Sequence, residues 1–264
     1  MNSNNVVFDI STFINHPTVT LTNSSSSNSC KYNREYTESE TKELLDRISH
    51  SLCIIEEAFQ KFTFKELALS FNGGKDCVVL LHLINYVILK LHKDNNNNIE
   101  NKTISTDKLN TIYFTSKDSF HQVNEFTEKC SKIYNLQTVN ISSGIKEGLQ
   151  EVVSNNNIKA IFVGTRHTDP NCSHLEKFSY TDPGWPHFLR VNPILEWNYT
   201  NIWHFIQLFN VPYCELYDQG FTSIGHINDT IPNPDLRVDN TDQYLPAYCL
   251  KDCTSERNGR LRKK

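Results

Sequence analysis

The chain has no apolar run near the roughly 18 residues that a membrane-spanning helix needs, so no segment reads as crossing a bilayer. Its N-terminus, Met1-Asn2-Ser3-Asn4-Asn5-Val6-Val7-Phe8-Asp9, lacks the basic start and apolar stretch of a signal peptide. It has no basic excess either: 26 Lys and Arg stand against 30 Asp and Glu, for a net charge of −4. No positive field is there to recruit nucleic acid. The eight cysteines (Cys30, Cys53, Cys77, Cys130, Cys172, Cys214, Cys249 and Cys253) contain no Cys-x-x-Cys pair. At 264 residues the chain can bury a core without disulfide staples. A reduced, cytoplasmic, monomeric protein is expected. Cys249 and Cys253, without a second ligand pair, make a poor zinc site.

One further lack is chemical. The stretch Leu67-Ala68-Leu69-Ser70-Phe71-Asn72-Gly73-Gly74-Lys75-Asp76 reads as a strand running into a glycine turn, and the residues after it are apolar at helical spacing. Adjacent glycines let backbone N–H groups approach a ligand, and a helix N-terminus and Lys75 add positive character, so an anion site fits. A purely structural turn fits as well. The Walker A pattern is missing: Leu69 stands where its first Gly belongs, and Asp76 where its Ser or Thr belongs. A carboxylate there would repel phosphate unless it helped to hold magnesium.

Residues 1–36 are polar and read as a flexible lead segment; 37–264 read as one domain, with a core over about 60–210 and a turn-rich C-terminal region over 211–264. Thr37-Glu38-Ser39-Glu40 fits a capping box. Leu44, Leu45, Ile48, Leu52, Ile55 and Phe59 then share one helical face. Residues 93–108, with four consecutive asparagines, read as a surface loop. Strands over 111–115, 136–141 and 160–163 alternate with helices over about 119–134 and 145–153, and a last helix covers 200–209. That alternation predicts an α/β fold with a doubly wound, mainly parallel sheet. Ligands bind beyond the carboxyl ends of such strands, which gathers the glycine loop, the Tyr113-Phe114-Thr115 exit and the Gly164-Thr165-Arg166 exit. After Gly164 about twenty residues read as loop, including Asp182-Pro183-Gly184-Trp185. Trp185 falls outside any periodic pattern and could stack on a flat ring or anchor its loop. Arg257 and Arg260 could flank one anion or form a solvated basic terminus.

Taken in order, these segments resemble the eukaryotic, fungal-type FAD synthetases (FMN adenylyltransferases) of the phosphoadenylylsulfate-reductase-like family. The matching motifs are the 70–83 glycine loop and helix, Gly164-Thr165-Arg166-His167-Thr168-Asp169-Pro170, and Arg190-Val191-Asn192-Pro193-Ile194-Leu195-Glu196-Trp197. Pro212 to Gly220 and the segment from Tyr244 through Glu256-Arg257-Asn258-Gly259-Arg260 complete them. The resemblance implies an adenine-nucleotide alpha-hydrolase-like (PP-loop) sheet and the reaction ATP + FMN → FAD + pyrophosphate with Mg²⁺. By resemblance Ser70, Phe71, Asn72, Gly73, Gly74 and Lys75 would hold ATP, with Tyr113 and Phe114 beside the adenine and Gly164 and Arg166 completing that side. Asp169, Trp185 and Arg190 would face FMN; Asp76 and Asp169 would be the metal carboxylates. Asn72, Asp76, Asp169, Arg257 and Arg260 would be the catalytic set. The FMN phosphate is already anionic, so alignment and charge neutralisation suffice without a general base. His167 and the asparagine-rich insertion depart from the expected pattern, and no upstream molybdopterin-binding-like domain is seen. A reductase of the same family would need a nucleophilic cysteine in Glu-Cys-Gly-His-like surroundings, which Tyr248-Cys249-Leu250-Lys251-Asp252-Cys253 does not match. A non-catalytic nucleotide or flavin binder would have little use for Asp76 and Asp169.

Overall fold

The first helix, α1 (Glu38–Lys61), starts on the expected capping box: Thr37 Oγ1 accepts from the Glu40 N–H while the Glu40 carboxylate accepts from the Thr37 N–H. The computed structural model describes residues 34–97 and 108–261. The lead segment expected over residues 1–36 therefore lies mostly outside the described residues, as does the 98–107 part of the insertion. After α1 come β1 (Leu67–Ser70), α2 (Lys75–Asn97), β2 (Asn110–Phe114), α3 (His121–Ile133), β3 (Gln137–Ile141), α4 (Ile145–Asn155) and β4 (Ala160–Phe162). Two short strands follow, β5 (Phe178–Tyr180) and β6 (Leu189–Val191), and then α5 (Tyr199–Leu208). The remainder is turns and short 3₁₀ segments.

The six strands run in the order β3-β2-β1-β4-β6-β5, parallel throughout except where β5 pairs antiparallel with β6. Side-chain alternation splits the core in two. Leu67 and Leu69 of β1 and Ala160 and Phe162 of β4 face the layer formed by α1, α2, α3 and α5; Ala68 and Ile161 face the α4 side with Ile112, Ile141 and Val152. Right-handed crossovers explain the split. The chain moves outward from β1 to β3 with α2 and α3 on one face. It returns across the sheet to β4 with α4 on the other, which makes the sheet doubly wound. The reversal of direction occurs between β1 and β4, so the crevice at their carboxyl ends is the place for a ligand.

Two expectations are corrected. The stretch after Gly164 is not all loop, because β5 and β6 add an antiparallel hairpin and carry Arg190 into the sheet beside Ile161. The first asparagines of the insertion also extend α2 to Asn97 instead of leaving it early.

Candidate active site

The glycine loop leaves β1 and turns directly into α2. Gly73 has φ +72°, and a Cβ there would fall 2.8 Å from Thr127 Oγ1 and 3.3 Å from Val123 Cγ1 of α3. Conformation and close packing both demand glycine. Asn72 Oδ1 accepts from the Gly74 N–H at 2.9 Å, folding the loop back on itself. The helix then begins with the Val78 N–H bonding to Gly74 O at 3.0 Å. The Lys75 N–H donates to Tyr217 Oη at 2.9 Å, which ties the helix start to the C-terminal region. Gly164, at the exit of β4, packs on this first turn; a Cβ there would sit 3.0 Å from Cys77 Sγ.

Behind the loop lies a cluster of charges. Lys75 and Arg166 are each 2% exposed. Lys75 Nζ donates to Glu256 at 2.5 Å and to Asp76 Oδ2 at 3.1 Å. Arg166 Nη2 meets both Glu256 oxygens at 2.7 and 2.8 Å, and its Nε lies 3.0 Å from Asp76 Oδ1. Asp169 joins through the Arg166 N–H, which donates to its Oδ2 at 2.9 Å. Two cations thus face three carboxylates. Burial alone would raise the Asp76 carboxyl, but the Lys75 and Arg166 charges outweigh it and hold the group below its ordinary value. Burial works against charge on Lys75 too, and Asp76 and Glu256 reverse that and keep it protonated. Glu256 is the residue that sequence reasoning passed over. It was legible only as part of the segment that carries Arg257 and Arg260.

In front of the loop opens a cavity of about 820 Å³, the size expected of a small-molecule site. Ser70, Asn72, Gly73 and Gly74 form one end, and Tyr113, Phe114 and Ile161 line the strand exits. Trp185, Phe188 and Arg190 line another side, while Gly225, His226 and Arg260 close it from the C-terminal region. Trp185 is 46% exposed. It follows a tight turn in which the Trp185 N–H bonds to Asp182 O at 3.1 Å and Gly184 takes φ +87°. Arg190 Nη2 donates to Tyr180 O at 2.8 Å, which fixes its guanidinium at the wall.

The structure therefore brings Ser70, Asn72, Gly73, Gly74, Tyr113, Phe114, Trp185, Arg190 and Arg260 to one cavity. It places Phe71, Lys75 and Arg166 in the buried layer beneath the loop and not on the cavity wall. Asp76, Asp169 and Gly164 are half-buried and Arg257 is exposed, and none of the four lines the cavity. Among the described residues no group of three or more His, Cys, Asp or Glu could hold a metal. No helix among them is long and apolar enough to cross a membrane.

Residues 66–232 match the model of the phosphoadenosine phosphosulfate reductase domain. The chain is 40% identical over 219 residues to a probable FAD synthase of Schizosaccharomyces pombe, covering 82% of this chain and 80% of that one. A probable FAD synthase of Caenorhabditis elegans is 36% identical over 223 residues; the match covers 83% of this chain but only 41% of that longer protein. Among solved structures, Candida glabrata FMN adenylyltransferase in complex with FAD and inorganic pyrophosphate superposes with a TM-score of 0.76. It is 31% identical, and the match covers 88% of this chain and 92% of that one. The glycine loop at the switch point, the charge cluster behind it and these matches converge: the chain belongs to the FAD synthase family of phosphoadenosine phosphosulfate reductase-like proteins.

Proposed function

We propose that this chain transfers the adenylyl group of ATP to FMN, releasing FAD and pyrophosphate. One observation carries the reading: a single cavity joins a backbone anion cradle at a helix N-terminus to an exposed indole and two arginines. The solved structure of Candida glabrata FMN adenylyltransferase in complex with FMN and the ATP analogue AMPCPP, 31% identical to this chain, supports it. An FMN phosphate oxygen attacks the α-phosphorus of ATP, the new P–O bond forms, and the bond to the β-phosphate oxygen breaks. The electron pair leaves with pyrophosphate. The glycine loop N–H groups and the N-terminus of α2 hold the nucleotide phosphates. Arg260 neutralises charge on the leaving pyrophosphate, with Arg257 in the same turn as its second cation. Tyr113 and Phe114 border the adenine, while Trp185 stacks on the isoalloxazine and Arg190 holds the flavin side. Asn72 holds the shape of the cradle through Gly74. Lys75 and Arg166 act from beneath, by fixing Asp76, Asp169 and Glu256.

Magnesium fits this donor set in one way. Asp76 Oδ1 is buried and makes no hydrogen bond, its one close charge being Arg166 Nε at 3.0 Å, and the described residues offer no full protein cage. That suits an ion carried mainly by nucleotide phosphates and water, with Asp76 or Asp169 as its protein carboxylates. Bound there, Mg²⁺ would offset charge on the phosphates during transfer. The buried, unbridged thiols of Cys77, Cys130 and Cys214 support a reducing, cytoplasmic setting. We take the working unit to be a monomer.

The reductase reading loses support at Cys77, the cysteine nearest the loop. Burial pushes its thiol up to about 12, far from the thiolate a nucleophile needs. No cysteine lines the cavity among the described residues. Replacing Cys249 and Cys253 together with serine should leave turnover unchanged. Chromatography of the chain incubated with FMN, ATP and Mg²⁺ tests the activity directly. FAD should appear; bound FMN with no FAD would contradict the proposal.

A further inference from the structure

Arg260 is delivered to the cavity by a short antiparallel pairing. Thr230 and Arg260 bridge, with the Ile231 N–H on Gly259 O at 2.9 Å and the Leu261 N–H on Asp229 O at 2.8 Å. From the 229–230 side a polar chain runs back to the guanidinium. The Gly225 N–H donates to Thr230 Oγ1 at 3.1 Å, and Thr230 Oγ1 donates to Asp229 Oδ1 at 2.8 Å. The His226 N–H reaches the same oxygen at 3.0 Å, and that oxygen lies 3.5 Å from Arg260 Nη2. Thr230 is 3% exposed, so the chain is built into the fold and not draped over it. The guanidinium itself rests on Gly225. A Cβ at that glycine would fall 2.3 Å from Arg260 Cζ, 2.3 Å from Nη2 and 2.5 Å from Nη1. Near-equal approach to the three central atoms means that the face of the guanidinium covers the glycine. Gly225 is not among the glycines with positive φ, so its lack of a side chain answers to the arginine and not to the backbone.

We propose that Gly225, Thr230 and Asp229 form a seat that holds the Arg260 guanidinium toward the reacting phosphates, which makes them positioning residues for adenylyl transfer. The inference rests on the reading of Arg260 as a phosphate clamp. Asp229 supplies the charge that orients one edge, Thr230 fixes Asp229, and the bare Gly225 leaves room for the flat face. A methyl at Gly225 meets only the far end of a flexible side chain. The fold absorbs it, and Arg260 leaves its seat.

The test is a double-variant cycle on FAD formation with Gly225→Ala, Arg260→Ala and their combination, and Asp229→Asn beside them. Gly225→Ala should lower kcat by at least about tenfold, with FMN affinity, read from flavin fluorescence, within about twofold of the parent. The combined variant should be no slower than Arg260→Ala alone, because an empty seat has nothing left to lose. Asp229→Asn should lower kcat in the same direction. Losses that multiply in the combined variant would overturn the seat, as would Gly225→Ala at full kcat. An Arg260→Ala variant that turns over like the parent would overturn both clamp and seat while leaving the adenylyl transfer standing. A parent chain that makes no FAD would overturn the activity and this inference with it.

Discussion

Trp185 and Glu256 show opposite ways in which single residues serve the site. The Trp185 indole is 46% exposed and lines the cavity. The tight turn over 182–185 holds it there, and no core claims it, so of the two readings open in the sequence the loop anchor loses support. Trp185→Ala should raise the KM for FMN by roughly two- to tenfold, the range that one aromatic stacking contact supplies. Trp185→Phe should recover most of that, and titration by flavin fluorescence reads both. Glu256 works from below. Its carboxylate neutralises Lys75 and Arg166, which reach it from 181 and 90 positions away in sequence. Removing one partner of a buried ion pair costs about 3–5 kcal/mol. Glu256→Gln should therefore lower the denaturation midpoint in urea and lower kcat together, and an unchanged midpoint would reduce the cluster to a marginal contact. Sequence could not reveal this residue. A lone glutamate between Ser255 and Arg257 has no local pattern, and its role exists only once β1, β4 and the C-terminal turns are brought together.

The helices α2 and α5 share one layer against the sheet, and each buries a histidine. Burial holds His82 and His204 near a pKa of about 4, below the ordinary value of 6.5. Both stay neutral in the folded chain while the unfolded chain takes up protons as pH falls through 6.5. Stability is then full above about pH 6.5, falls on acidification, and levels off below about 4, with each histidine contributing at most about 3 kcal/mol. His204 stacks flat on Tyr36 at 3.7 Å between ring centroids, so His204→Phe keeps the stack and removes the proton. Thermal melts from pH 7.5 to 4.5 should fall less steeply for that variant; an unchanged slope would remove His204 from the account. The elements were unequally legible. The amphipathic face of α1 and the strand–turn–helix of the glycine loop are local patterns of apolar spacing and glycine, and sequence shows them plainly. The strands β5 and β6 are three residues each, lack a full alternation, and exist because β4 offers an edge. Nothing local announces such a strand. The layer behind the loop is hard to read for a related reason: a lysine beside two glycines suggests a phosphate ligand, and the pairing of Lys75 with Glu256, 181 positions away, has no local pattern.

At the scale of the whole molecule, the order of the sheet decides where chemistry can occur. The reversal between β1 and β4 opens one crevice, and two segments after β4 close it: the β5–β6 hairpin with Trp185 and Arg190, and the C-terminal turns with Gly225, His226 and Arg260. On the proposed reading the parallel sheet would supply the nucleotide side, and the segments after β4 the flavin side and the clamp. The fold class follows from alternation in the sequence; the closing of the cavity by the last forty residues does not, because turns and 3₁₀ segments carry no periodicity. On the proposed reading both substrates meet in that one cavity with the α-phosphate of ATP between them. Parallel incubations with FMN, Mg²⁺ and ATP labelled at either the α- or the γ-phosphate test it most directly. The α-label should move into FAD while an equal amount of γ-label appears as pyrophosphate. An α-label that stays with ATP or appears as free AMP, with FMN unchanged, would contradict it.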